Sequence, residues 1–180
     1  MIYMFLANGF EEVEALCPLD ILRRAGLEVT TVGIGGDSIV GSHGIRVQAD
    51  IPDVLFRDSD PDMIILPGGM PGSTNLDESK TVDAALKVAA RKGAYLCAIC
   101  AAPLVLGKRG YLSGKRAVCY PGFESYLEGA DVSADETVVR DGNVITAKGM
   151  GAAFEFGLEL VRALKDDKTA EDIKASVFAK

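Results

Sequence analysis

The fold class predicted by the sequence is α/β, a mainly parallel sheet covered by helices on both faces, and two observations predict it. Short apolar runs alternate along the chain with segments of helical period. The most apolar runs, at 63–66 and 94–99, pass directly into turns that lead to the next helix. Ile2–Ala7 reads as a buried strand, and Glu11–Ala25 as a helix stopped by Gly26. Glu28–Ile34 is the second strand. Ile39–Asp50 reads as a hairpin around Ser42-His43-Gly44, with Val47 and Ala49 alternating against polar neighbours. Met63–Leu66 is a short buried strand; after Pro67-Gly68-Gly69 a helix is expected near Ser79–Arg91. Ala94–Ile99 is a further buried strand running into a helix at Ala101–Lys108. Val138–Arg140 and Val144–Ala147 flank Asp141-Gly142, a hairpin turn signal. Gly151–Leu164 is amphipathic, with Phe154, Leu158 and Val161 on one stripe and Glu155, Glu159 and Arg162 facing out. Residues 1–180 read as one domain, with a core over 1–164 and a peripheral tail over 165–180, helical or frayed.

The 180 residues are 48% hydrophobic and 25% charged, as in ordinary globular chains. With 19 basic and 26 acidic residues the net charge is −7, which speaks against nucleic-acid or anionic-membrane partners. The start of the chain lacks the basic segment of a signal peptide, and no apolar run approaches the ~20 residues of a membrane span. Four cysteines, at 17, 97, 100 and 119, are therefore expected as thiols in a reducing, cytoplasmic setting. A lone histidine, His43, rules out a three-histidine zinc site; no metal and no cofactor are expected.

Ligand sites in such sheets collect beyond the carboxyl ends of the strands, and Cys100 stands at that end of the most apolar strand. A helix starting just after it, with Pro103 in the first turn, would offer free N–H groups that stabilise a thiolate and lower its pKa. The alternative is a buried cysteine acting as a small hydrophobe. Cys97 and Cys100 have the C-x-x-C spacing, but three residues along a strand rise about 10 Å, beyond disulfide reach, so Cys97 is expected in the core. The Pro67–Ser73 loop can bring backbone N–H groups against an oxyanion, or can need its glycines only for turning; it lacks the Lys-Ser/Thr ending of a phosphate loop. Glu11 and Glu12 read as first-turn acids that complement the helix dipole. Glu14 differs, because Pro18 cannot donate to its carbonyl and the helix should kink or open there. A carboxyl in a partly buried pocket would have a raised pKa and could exchange protons near neutrality. His43, in a turn, is expected at the surface or at a subunit contact rather than beside Cys100.

Five segments occur in order: Gly9-Phe-Glu-Glu-Val-Glu14, Leu19-Asp-Ile-Leu-Arg-Arg-Ala-Gly26, Leu66-Pro-Gly-Gly69, Ala98-Ile-Cys-Ala-Ala-Pro103 and Gly142-Asn-Val-Ile-Thr146. Together they resemble the ThiJ/PfpI superfamily, in the branch of the Parkinsonism-associated protein deglycase and its YajL-like bacterial relatives, over about residues 1–164. The resemblance implies a flavodoxin-like three-layer sandwich with a strand-to-helix nucleophile elbow, and a homodimer. It implies Cys100 as the oxidation-prone nucleophile, Glu14 as its carboxyl partner, and the backbone of Gly68, Gly69 and Ala101 as the oxyanion site. Tyr120 stands where relatives with a triad have histidine, which removes a base for peptidase chemistry; with Pro121 it is assigned to the pocket. Gly149-Met-Gly-Ala152 replaces a Gly-Pro-Gly-Thr/Ser pattern and loses a capping hydroxyl, while His43 and Arg24 are assigned to a dimer interface.

Two functions follow from that resemblance. The first is cofactor-independent conversion of 2-oxoaldehydes such as methylglyoxal, or of the glycated proteins they form, by Cys100 and Glu14, within an oxidative-stress response. The second is redox sensing or holdase-type chaperoning through oxidation of Cys100 without turnover.

Overall fold

The computed structural model of the chain describes residues 1–57 and 60–179. In chain order its elements are β1 (Ile2–Leu6), α1 (Glu12–Arg24), β2 (Val29–Gly33), β3 (Ser38–Val40), β4 (Arg46–Gln48), β5 (Ile51–Pro52) and β6 (Met63–Leu66). There follow α2 (Gly72–Glu78), α3 (Lys80–Lys92), β7 (Tyr95–Ile99), α4 (Pro103–Gly107), β8 (Arg116–Ala117) and β9 (Asp131–Val132). The chain continues through β10 (Val138–Asp141), β11 (Val144–Ala147), α5 (Ala153–Leu164) and α6 (Asp167–Ser176).

Among the described residues, seven strands form one sheet in the order β10-β11-β7-β6-β1-β2-β5. All its pairings are parallel except β10 with β11, the hairpin around Asp141-Gly142. Strand alternation divides the core in two. Met4, Leu6, Ile65, Cys97, Ile99 and Ile145 pack with α1 and α5, while Phe5, Ile64, Leu66, Leu96 and Ala98 pack with α2, α3 and α4. The result is the flavodoxin-like three-layer sandwich, with β1 and β6 at the point where the strand order reverses.

The helix stops follow from local chemistry. At the end of α1 the amides of Gly26 and Leu27 return to the carbonyls of Arg23 and Leu22 (3.0 and 3.1 Å), and Gly26 takes the left-handed conformation this requires (φ 70°). Ser79 caps α3 by accepting from the Val82 amide (3.3 Å), and Gly93 closes it at φ 75°.

Several expectations are corrected. α1 continues through Pro18 to Arg24, so the helix does not open there; Gly157 of α5 lets the two helices approach, since a Cβ at that position would lie 3.1 Å from the Pro18 Cα. The loop after β6 is shorter than expected because α2 begins at Gly72. The helix after β7 is only Pro103–Gly107, preceded by a turn at 100–102. The tail forms α6, capped by Asp166, whose carboxylate accepts from the Thr169 amide (2.7 Å); Lys180 of that tail lies outside the described residues. The N-cap of α5 is Ala152, and no side chain caps that helix.

Candidate active site

The carboxyl ends of β1, β6, β7 and β11 bring together Glu14, the Gly68-Gly69 turn, Cys100 and Gly149. Cys100 occupies the corner after β7 with φ 64°, the left-handed region that a residue bearing a Cβ enters at a cost of about 1 kcal/mol or more. Two backbone hydrogen bonds hold it there: its amide donates to the Ala147 carbonyl (2.8 Å), and its carbonyl accepts from the Tyr120 amide (2.8 Å). The corner turns the half-buried Cys100 side chain out of the strand register, whereas Cys97 stays in the sheet opposite Ile65 and Ile145 and is fully buried. All four cysteines are free thiols.

Glu14 reaches the sulfur from α1. Its side chain is buried (1% exposed), accepts from the Gly68 amide (3.1 Å at Oε2), and shares a hydrogen bond with the Cys100 thiol. Gly68 is dictated by space: a Cβ there would stand 2.4 Å from Glu14 Oε2 and 2.6 Å from the Cys100 Cβ. Glu11 fixes the helix start, accepting from the Glu14 amide (2.7 Å) while its own amide donates to the Gly68 carbonyl (2.9 Å). The Gly69 and Ala101 amides hydrogen-bond the Cys100 sulfur. The amides of Gly69 and Ala101 thus face the sulfur, while the Gly68 amide is engaged by Glu14.

Burial, reinforced by the charge of nearby Glu11, raises the Glu14 carboxyl to about 7 against the lowering hydrogen bonds from Cys100 and Gly68. Burial and the Glu14 carboxylate together push the Cys100 thiol up to about 12, against the opposing Gly69 and Ala101 amides. The expectation that a helix N-terminus lowers the thiol pKa is therefore reversed. α4 is a single short turn with a weak dipole, and the nearest full charge is negative. The arrangement sets a thiol against a carboxyl that titrates near neutrality, so that a proton can pass between them.

The other predicted residues lie around this centre. The Tyr120 ring is half exposed and runs along Gly149, whose Cβ position is 3.4 Å from Tyr120 Cδ2 and 4.0 Å from Glu14 Oε1. Pro121 lines a neighbouring pocket of about 310 Å³ with Cys119, Glu124, Ser133 and Lys148, not the sulfur itself. His43 is on the surface, its imidazole bound to Glu12 (2.8 Å), so it is no base for Cys100. Glu11, Glu12 and His43 offer atoms within 4.8 Å of one another, a spacing that could hold a metal ion, but Glu12 is already occupied by four donors of the hairpin turn. Arg24 is exposed and paired with Asp20 (2.6 Å). Sequence reasoning missed Gly149 as a site residue; its signal, the altered Gly-Met-Gly-Ala run, was read only as capping.

The sequence pattern of the DJ-1/PfpI family matches residues 1–163. Protein dj-1beta of Drosophila melanogaster is 37% identical over 94% of this chain and 92% of its own length. A Caenorhabditis elegans protein named glutathione-independent glyoxalase DJR-1.2 is 35% identical over 94% of this chain and 91% of its own. The solved structure of Toxoplasma gondii DJ-1, described as oxidized, superposes with a TM-score of 0.94 at 33% identity, covering 99% of this chain and 97% of the other.

Proposed function

The chain belongs to the DJ-1/PfpI family, and from that premise we propose that it is a cofactor-independent thiol–carboxyl enzyme converting small 2-oxoaldehydes to 2-hydroxy acids. One observation carries the reading: a buried carboxyl that titrates near neutrality is hydrogen-bonded to a strained, accessible thiol beside two backbone N–H donors. The C. elegans relative's name, glutathione-independent glyoxalase, supports the same chemistry.

In this reading the Cys100 sulfur bonds to the aldehyde carbon while its proton passes through Glu14 to the carbonyl oxygen, giving a hemithioacetal. The Gly69 and Ala101 amides stabilise the negative charge that develops on that oxygen. The Glu14 carboxylate then takes the proton from the former aldehyde carbon and returns it to the adjacent carbon, while the hydroxyl proton passes to the adjacent oxygen, so that the ketone becomes an alcohol and the first carbon a thioester. Water cleaves the thioester, releasing the 2-hydroxy acid and restoring the thiol; no external oxidant or reductant is consumed. Hydrolysis of a methylglyoxal adduct on a protein would use the same groups. The unpaired cysteines favour a reducing, cytoplasmic setting, and a homodimer is part of the same proposal. Purified protein given methylglyoxal is expected to form lactate, and Cys100→Ser to abolish it; equal turnover by the two would overturn the assignment.

A second reading, oxidation of Cys100 as a redox signal or chaperone trigger, is favoured by the accessible sulfur and by the relative described as oxidized. Each peroxide molecule would transfer one oxygen atom to sulfur and leave as water, and the sulfinate oxygens would find Glu14, Gly69 and Ala101 as donors. Intact-mass analysis after mild peroxide is expected to place two oxygens on Cys100 and none on Cys97; first oxidation at Cys97 or Cys119 would contradict it.

A further inference from the structure

The two places where the sequence departs from the superfamily pattern, Tyr120 and the Gly149-Met150 run, meet in space on one side of the site. The Tyr120 amide is tied to the Cys100 carbonyl (2.8 Å), which fixes the ring beside the elbow. That ring then runs along Gly149, and Gly149 in turn lies over Glu14. The φ of Gly149 is 168°, extended backbone open to any residue, and a Cβ there would make ordinary contact with the ring. Met150 follows immediately and is 55% exposed, and Tyr120 is 51% exposed. Met70 follows Gly69 and is 49% exposed, but its sulfur accepts from the Thr74 hydroxyl of α2 (3.9 Å) and is left out of this face. A large ring thus stands beside the Glu14 carboxyl, with an exposed methionine next in the chain to the glycine it runs along.

Charge points the same way. Glu14 adjoins the sulfur, and Glu11 lies close enough to raise the Glu14 carboxyl. Lys148 flanks Gly149 in sequence, but its ammonium donates to the Ala134 carbonyl (2.7 Å), on the side of the neighbouring pocket. A carboxylate-bearing aldehyde would therefore approach negative charge across an apolar rim.

We propose that Tyr120, with Met150 beside it, forms a specificity rim that selects uncharged 2-oxoaldehydes bearing an apolar, preferably aromatic, substituent. The proposal rests on the 2-oxoaldehyde reading above and names the substrate class within it. The ring face and the Met150 thioether supply contact for a planar substituent while the dicarbonyl reaches Cys100. Phenylglyoxal, methylglyoxal and glyoxylate are the probes, compared by kcat/KM. Discrimination by such contacts is of the order of tenfold. The expected order is phenylglyoxal over methylglyoxal, by about tenfold, with glyoxylate poorest. Tyr120→Ala and Met150→Ala should each lower the phenylglyoxal-to-methylglyoxal ratio several-fold, and Tyr120→Phe, which keeps the ring, should retain it. Both alanine positions are half exposed, so folding is not at stake. Turnover of methylglyoxal with a ratio near one, a ratio unmoved by both alanines, or its loss in Tyr120→Phe would overturn the rim and leave the 2-oxoaldehyde reading standing. Absence of turnover and of any Cys100 adduct with all three probes would overturn both.

Discussion

Glu12 and Glu14 sit two residues apart in the first turn of α1, both almost fully buried (3% and 1% exposed), yet their acidities move in opposite directions. For Glu12, burial raises the pKa, but the His43 imidazole and the amides of His43 and Ile45 more than offset it and bring the carboxyl down to about 2. For Glu14, burial prevails and the carboxyl rises to about 7. Residues two apart on a helix point to nearly opposite sides. Glu12 therefore meets the β3–β4 turn, which supplies four donors, while Glu14 meets the elbow, which supplies the Gly68 amide and a thiol. A buried carboxylate is a structural anchor where donors are plentiful and a proton carrier where they are few. Two neighbouring buried carboxyls thus differ in the donors that reach them, four at Glu12 against an amide and a thiol at Glu14.

The comparison is broken most severely by removing the reactive pair. Cys100→Ser and Glu14→Gln are each expected to lower kcat/KM for methylglyoxal by ~10³-fold or more, read by lactate formation. In the wild type the same quantity should rise with pH through about 7, as Glu14 ionises. Stability should move oppositely. Because the folded Glu14 pKa lies above its unfolded value of 4.5, the native state holds the extra proton between 4.5 and about 7, and stability declines as pH rises through that window. The decline amounts to at most about 3 kcal/mol, at about 1.4 kcal/mol per pH unit. Glu14→Gln is accordingly expected to be more stable than wild type at pH 8 and not at pH 4, by denaturant unfolding. Gly68→Ala, whose Cβ would intrude on Glu14 Oε2 and the Cys100 Cβ, should cost ~10²-fold in turnover by displacing the pair. Smallest is Glu12→Gln, expected to lose about 1–2 kcal/mol of stability without moving the pH midpoint of activity. The Glu12 contribution in the wild type is present above about pH 4.5 and is lost as pH falls through about 2, the opposite sign to Glu14.

Much of the fold was legible because its signals are local. Apolar runs mark β1, β6, β7 and β11, and Gly26 and Asp141-Gly142 mark a helix stop and a hairpin. β5, β8 and β9 are two residues each and are defined by their partners rather than by a period of their own. α2 was hidden because Pro71 and Gly72, which read as loop, are its N-cap and first residue. At the site, residue types and order pointed to Cys100 and Glu14, but the sign of the thiol shift did not follow from them. That sign depends on α4 being a single turn and on Glu14 standing against the sulfur, both tertiary facts. The distinct fate of Glu12 was equally out of reach, since its donors come from a turn about thirty residues away.

The central claim, that an under-donated Glu14 carries the proton for Cys100 near neutrality, is tested most directly by titrating the Glu14 side-chain carboxyl by carbon-13 NMR, assigned by its absence in Glu14→Gln. A midpoint near pH 7 is predicted, with Glu12 still ionised throughout that range. A Glu14 midpoint at or below the ordinary 4.5 would contradict the account.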